Sequence, residues 1–177
     1  MRSALLILCT ILRLSVFSQS ITTLSLTASG LTCSMCSKAV YKSLTRLTSV
    51  EKVDADIQAA GFTIYLKPGS TVVLADFKKA VQDAGFSVAA FRIKASFTQS
   101  SISSGTGLLL EGNQLFFPGV DKQVLTGPRT LLLIDKGYLS EKDRQQYNKL
   151  LQKSSAGEAN MFQGAEGQVY HVVLQQS

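Results

Sequence analysis

Thr22-Thr23-Leu24-Ser25-Leu26-Thr27-Ala28-Ser29-Gly30-Leu31-Thr32-Cys33-Ser34-Met35-Cys36 changes its period at Gly30. Up to Ala28 polar and apolar residues alternate, the pattern of a half-buried strand. Gly30 breaks that pattern. From Ser34 onward Ala39, Val40, Leu44 and Leu47 recur at helical spacing, with Lys38, Lys42 and Arg46 on other faces. Val50 to Asp56 alternates again, and Ala60-Gly61 supplies a turn before the strand Phe62 to Leu66. Lys67-Pro68-Gly69-Ser70 ends that strand. A second helix is expected from Leu74 to Ala84, with Gly85 at its C-terminal cap, followed by a last strand from Phe86 to Ile93. The order strand, helix, strand, strand, helix, strand predicts an α+β, ferredoxin-like βαββαβ unit: an antiparallel sheet covered on one face by two helices.

Outward from this unit, Thr98 to Gly105 is serine-rich and reads as a linker. Residues 106–177 predict a small β-rich domain, OB-like in outline. A hairpin is expected around Gly112-Asn113, with strands at Lys122 to Thr126 and Arg129 to Ile134 split by Gly127-Pro128. The helix Glu141 to Gln152, capped by Ser140, precedes strands at Glu158 to Phe162 and Gln168 to Leu174. At the other end, residues 1–18 pair a basic start with the short apolar run Ala4 to Leu12, then Arg13 and Leu14 to Phe17. This predicts a secretory signal peptide cleaved after Ser18, and hence a periplasmic or otherwise exported protein. The run is too short for a bilayer-spanning helix of about 20 apolar residues, so no stable membrane span is expected after cleavage.

The 177 residues are 45% hydrophobic and 17% charged, enough apolar content for packed cores. The formal charge of +6 is too scattered for a nucleic-acid footprint, and no nucleic-acid partner is expected. Of the three cysteines, Cys9 lies in the expected signal peptide, leaving Cys33 and Cys36 in the mature domains. Residues 19–97 thus carry a C-x-x-C pair where the first strand turns into the first helix. The helix start supplies partial positive charge and unpaired N–H groups, which favour thiolate, the metal-binding species. Thiolates prefer soft ions. Two sulfurs suit Cu(I) or Hg(II), whereas Zn(II) usually takes four ligands. A redox dithiol or an incidental disulfide would use the same spacing.

Gly30-Leu31-Thr32-Cys33-Ser34-Met35-Cys36 after a strand, with Val50 to Leu66 and Asp83-Ala84-Gly85-Phe86, resembles the heavy-metal-associated domain. That family includes copper chaperones, the N-terminal modules of copper-exporting ATPases and the periplasmic mercury-binding protein. The resemblance covers residues 21–93 and implies Cys33 and Cys36 as metal ligands. It also places Leu31 as an apolar plug beneath the loop and Phe86 as the side chain close to it. The expected cargo is Cu(I), with Hg(II), Zn(II) or another thiophilic ion as alternatives. The expected partner is a metal-transporting ATPase or efflux protein.

Other residues read more plainly. Met35 points away from both cysteines by position. His171, in Val169 to Leu174, reads as an ordinary strand histidine. Lys38, Lys42 and Arg46 suit either an acidic partner or a solvated helix face. Glu141, Asp143 and Glu158 form no acid–base pair in the sequence, and no phosphate loop or nucleophile elbow occurs. The reading is therefore of a metal-binding protein and not an enzyme. A thiol-disulfide redox protein using the same cysteine pair is the alternative.

Overall fold

The computed structural model describes residues 19–104, 107–152 and 168–175. The expected signal peptide and the strand Glu158 to Phe162 lie outside these residues. The chain is α+β and forms β1 (Ser20–Ser29), α1 (Ser34–Thr45), β2 (Val50–Asp56), β3 (Gly61–Leu66), α2 (Leu74–Asp83) and β4 (Ser87–Ile102) in the expected order. It continues with β5 (Gly107–Leu110), β6 (Asn113–Phe116), β7 (Gln123–Leu133), α3 (Glu141–Arg144) and β8 (Val169–Gln175). A 3-10 turn at Gln145–Tyr147 and a helical stretch at 148–152 extend α3 in place of one continuous helix.

All eight strands belong to one sheet in the order β2-β3-β1-β4-β7-β8-β6-β5. Two sequence-based expectations are corrected by this order. The first is the linker: residues 98–102 are the end of β4, which runs 16 residues and pairs antiparallel with β7. The register slips between Phe97 and Ser100, and this bulge returns Ser100 and Ile102 to the buried face after Phe97. A serine-rich stretch looks flexible by composition, yet here the β7 ladder pairs its backbone and Ile102 anchors it.

The second is the OB-like barrel. The later strands extend the first sheet from the β4 edge, with β8 inserted between β7 and β6, antiparallel to the first and parallel to the second. Gly127-Pro128 lies within β7, opposite Phe97 and Ser96, and does not separate two strands. The β5–β6 turn falls on Glu111-Gly112, whose φ values of 46° and 82° match the left-handed pair that two-residue hairpins require.

On one sheet face α1 and α2 bury Val40, Leu44, Phe77 and Val81 against Leu24, Ile64, Phe91 and Ile93. The same cluster takes in Leu115, Leu131, Leu133, Tyr138 and Tyr170, so both halves of the chain share one core. Aromatic edges continue across it, from Phe77 to Phe91, Tyr138 and Tyr170, at centroid distances of 6.2, 5.7 and 5.5 Å. Burial pushes the Tyr138 and Tyr170 phenols up from their ordinary value. The other face carries a smaller cluster of Leu132, Ile134 and Leu139 beneath Tyr147 and Leu151.

Polar contacts also tie the halves together. The α2 N-cap Val73 offers no side-chain acceptor. Asn113 from β6 supplies one: its Oδ1 accepts from Leu74 N at 3.4 Å, and its Nδ2 donates to Val72 O at 2.8 Å. Glu111 Oε1 accepts from Ile21 N at 3.1 Å. Asn113→Ala strips partners from buried groups and is expected to cost about 2 kcal/mol. Urea denaturation should show a lower midpoint with an unchanged slope; an unchanged midpoint would refute this coupling.

Candidate metal centre

The β1–α1 connection is built by three local constraints. Gly30 has φ +81°, a left-handed conformation that a side chain would strain, and it turns the chain out of β1. Cys33, extended at φ −148°, is the N-cap of α1. Its Sγ accepts from the Cys36 N–H at 3.2 Å, and its carbonyl accepts from Ser37 N at 3.2 Å. The sulfur of Cys33 therefore occupies the place of a capping hydroxyl and satisfies a donor of the first turn. Ser37, only 4% exposed, and Val40 turn the helix onto the core.

The C-terminal end of α2 supports this loop from behind. Gly85, at φ +89°, donates to Gln82 O at 2.8 Å, and Phe86 N donates to Val81 O at 3.1 Å. This αL ending delivers Phe86 to the loop. A Cβ added to Gly30 would meet Phe86 Cδ1 at 3.9 Å, an ordinary contact. Leu31 and Phe86 both pack, half-buried, on the main core. Phe86 thus lies beside Gly30, and Leu31 packs on the core next to the loop's cysteines in sequence.

Cys33 and Cys36 are brought together as a disulfide, with their Cα atoms 5.3 Å apart. Cys33 is exposed and Cys36 half-buried. Disulfide sulfurs hold no metal ion, so metal chemistry at this pair requires two electrons and two protons to release the dithiol first. Once reduced, both sulfurs start within bonding reach of one another at a helix N-terminus, which fits a two-coordinate soft ion. Among the described residues no group of three or more His, Cys, Asp or Glu side chains is placed to hold a metal.

The remaining candidates lie elsewhere. Met35 is 71% exposed in the first turn of α1. Lys38, Lys42 and Arg46 are exposed along that helix. His171 sits on β8, which β4 and β7 separate from β1. Its backbone N–H donates to Asp135 Oδ2, and its Nδ1 meets Asp135 Oδ1, each at 2.6 Å. The 36-residue separation hides this partner from any local sequence pattern. Glu141 pairs with Arg144 at 3.0 Å, and Asp143 meets the Ser140 hydroxyl, so both serve the α3 start. Glu158 lies outside the described residues. Among the described residues no helix is long and apolar enough to cross a membrane.

The chain matches the heavy-metal-associated domain over residues 25–87. No curated protein matches it. Among solved structures, oxidised MerP from Ralstonia metallidurans CH34 is 27% identical, with 40% of this chain and 97% of that one covered at a TM-score of 0.34. A copper-binding domain from HMA7, a P-type ATPase, is 25% identical over 40% of this chain and 97% of its own, with a TM-score of 0.35. The yeast copper transporter domain Ccc2a is 24% identical over 38% and 90%, again at 0.34. Residues 25–87 of this chain are a heavy-metal-associated domain.

Proposed function

We propose that this chain is an exported metal-binding protein in which reduced Cys33 and Cys36 hold one soft metal ion, Cu(I) foremost, for buffering or transfer to a partner. The observation that carries this reading is the pairing of both sulfurs at the start of α1, one of them capping the helix. The heavy-metal-associated match of residues 25–87 supports it. The signal-like residues 1–18 support export. A metal-transporting ATPase or efflux protein is the proposed recipient.

The geometry suggests how exchange would run. An incoming thiolate joins the bound ion at the exposed Cys33 side while one protein sulfur leaves, so no free ion is released. The amide of Cys36 and the α1 N-terminus stabilise whichever sulfur carries negative charge. Leu31 and Phe86 back the loop with packed side chains, which limits how far the sulfurs must move.

The disulfide favours one second reading, a dithiol–disulfide redox protein. Its reduction potential and its rate of insulin reduction separate the two, because fast turnover with weak metal binding would reverse the ranking. For the leading reading, reduced protein is titrated anaerobically with Cu(I) against a chromogenic competitor. One tightly held ion per chain is expected, and the Cys33→Ser, Cys36→Ser variant should lose it. Failure of the parent protein to compete at equal concentration would remove the proposal.

A further inference from the structure

Strand β1 begins at the seam between the two halves of the chain, at its end away from the cysteines. Its first ladder pair is Ser20 with Ser96, and its Ile21 N–H donates to Glu111 Oε1 of the β5–β6 turn at 3.1 Å. Ser20, Ile21 and Glu111 line a cleft of about 340 Å³, together with Lys67 and Ser70 of the β3–α2 connection. Gln19 stands one residue before this ladder and is half-buried. In an extended chain, N–H groups two residues apart point the same way. The nitrogen of Gln19 therefore opens toward the side on which Ile21 meets Glu111.

Cleavage after Ser18, the small residue that follows Leu14 to Phe17, makes Gln19 the first residue of the mature chain. An N-terminal glutamine holds a nucleophile and an electrophile in one residue. Its α-amine reaches its own side-chain amide carbon through a five-membered ring, so the reaction is intramolecular. An α-amino group with its ordinary pKa of about 8 leaves roughly a tenth of the chains in the neutral, attacking form at pH 7.

We propose that the exported chain carries pyroglutamate at position 19. The α-nitrogen bonds to Cδ of the Gln19 side chain, and the Cδ–Nε2 bond breaks. Ammonia leaves, taking up the proton that the amine gives up, so no oxidant, cofactor or second substrate is consumed. The ring uses only atoms of Gln19, so the Ser20–Ser96 pair and the hydrogen bond from Ile21 to Glu111 are untouched.

Cyclisation also removes an ammonium charge from the edge of a cleft that already carries the Lys67 side chain. Glu111, the one carboxylate among the described residues lining that cleft, keeps its bond to Ile21. A lactam lacks the free amine that aminopeptidases grip. It therefore guards the start of β1, the strand that leads into Gly30 and the cysteine loop.

This inference rests on the export reading, and the test separates the two. The full chain, with residues 1–18 in place, is produced in a secreting bacterium and analysed by intact mass and N-terminal sequencing. The expected product starts at Gln19 and is lighter than the linear 19–177 chain by the mass of one ammonia. It gives no sequence until a pyroglutamyl peptidase removes its first residue, after which Ser20 is read first. The Gln19→Ala chain should be secreted with an open N-terminus and shortened by an aminopeptidase that leaves the parent intact. A product starting at Gln19 whose amine is still free after a week at neutral pH overturns the pyroglutamate and spares export. A mature chain starting at any other residue does the same. A chain that keeps residues 1–18 sinks both, and a parent trimmed as fast as Gln19→Ala overturns the protective role.

Discussion

Strand β4 is hydrogen-bonded along both edges, to β1 on one side and to β7 on the other. Its buried residues Phe91, Ile93, Ala95 and Phe97 belong to the larger of the two cores. In a four-stranded β2-β3-β1-β4 sheet standing alone, β4 would be an edge with unpaired backbone groups, the kind of edge that proteins cover or blunt. Here the chain covers it with its own β7, and the later strands build outward from there. The second half is thus bound to the half that carries the cysteine pair by a continuous ladder, by shared aromatic packing and by the Asn113 cap on α2.

That continuity has a consequence for the site. The cysteine loop is held between β1 and the end of α2, and α2 is itself held at its start by Asn113 and along its length by Tyr138, with Lys78 Nζ 4.5 Å from the Tyr138 ring centroid. The loop is backed by a larger body than a minimal βαββαβ unit supplies. Preorganisation of this kind matters for soft-metal exchange, because ligands that already converge lose little entropy on binding.

The first half was legible because its signals are local. Alternation marks β1, β2 and β3, helical spacing marks α1 and α2, and Gly30 and Gly85 mark the turns at which φ is positive. Cys33 and Cys36 stood out for the same reason, whereas Phe86 was placed near the loop by the family resemblance alone. The second half was not legible because its structure is fixed by distant partners. Residues 98–102 have few apolar side chains, and their strand state depends on β7 some two dozen residues later. Gly127-Pro128 reads as a stop, since proline cannot donate to a ladder. It is accommodated in β7 beside the β4 bulge. The parallel pairing of β8 with β6 and the clamp of Asp135 on His171 are likewise beyond any window of neighbouring residues.

The sulfur pair is tested most directly by X-ray absorption at the copper edge of reduced protein loaded with less than one Cu(I) per chain. Two sulfur neighbours from Cys33 and Cys36, with no nitrogen or oxygen bound to the copper, are expected. Copper bound mainly by nitrogen or oxygen, or a spectrum unchanged when both cysteines are replaced by serine, would contradict the pair as the binding site.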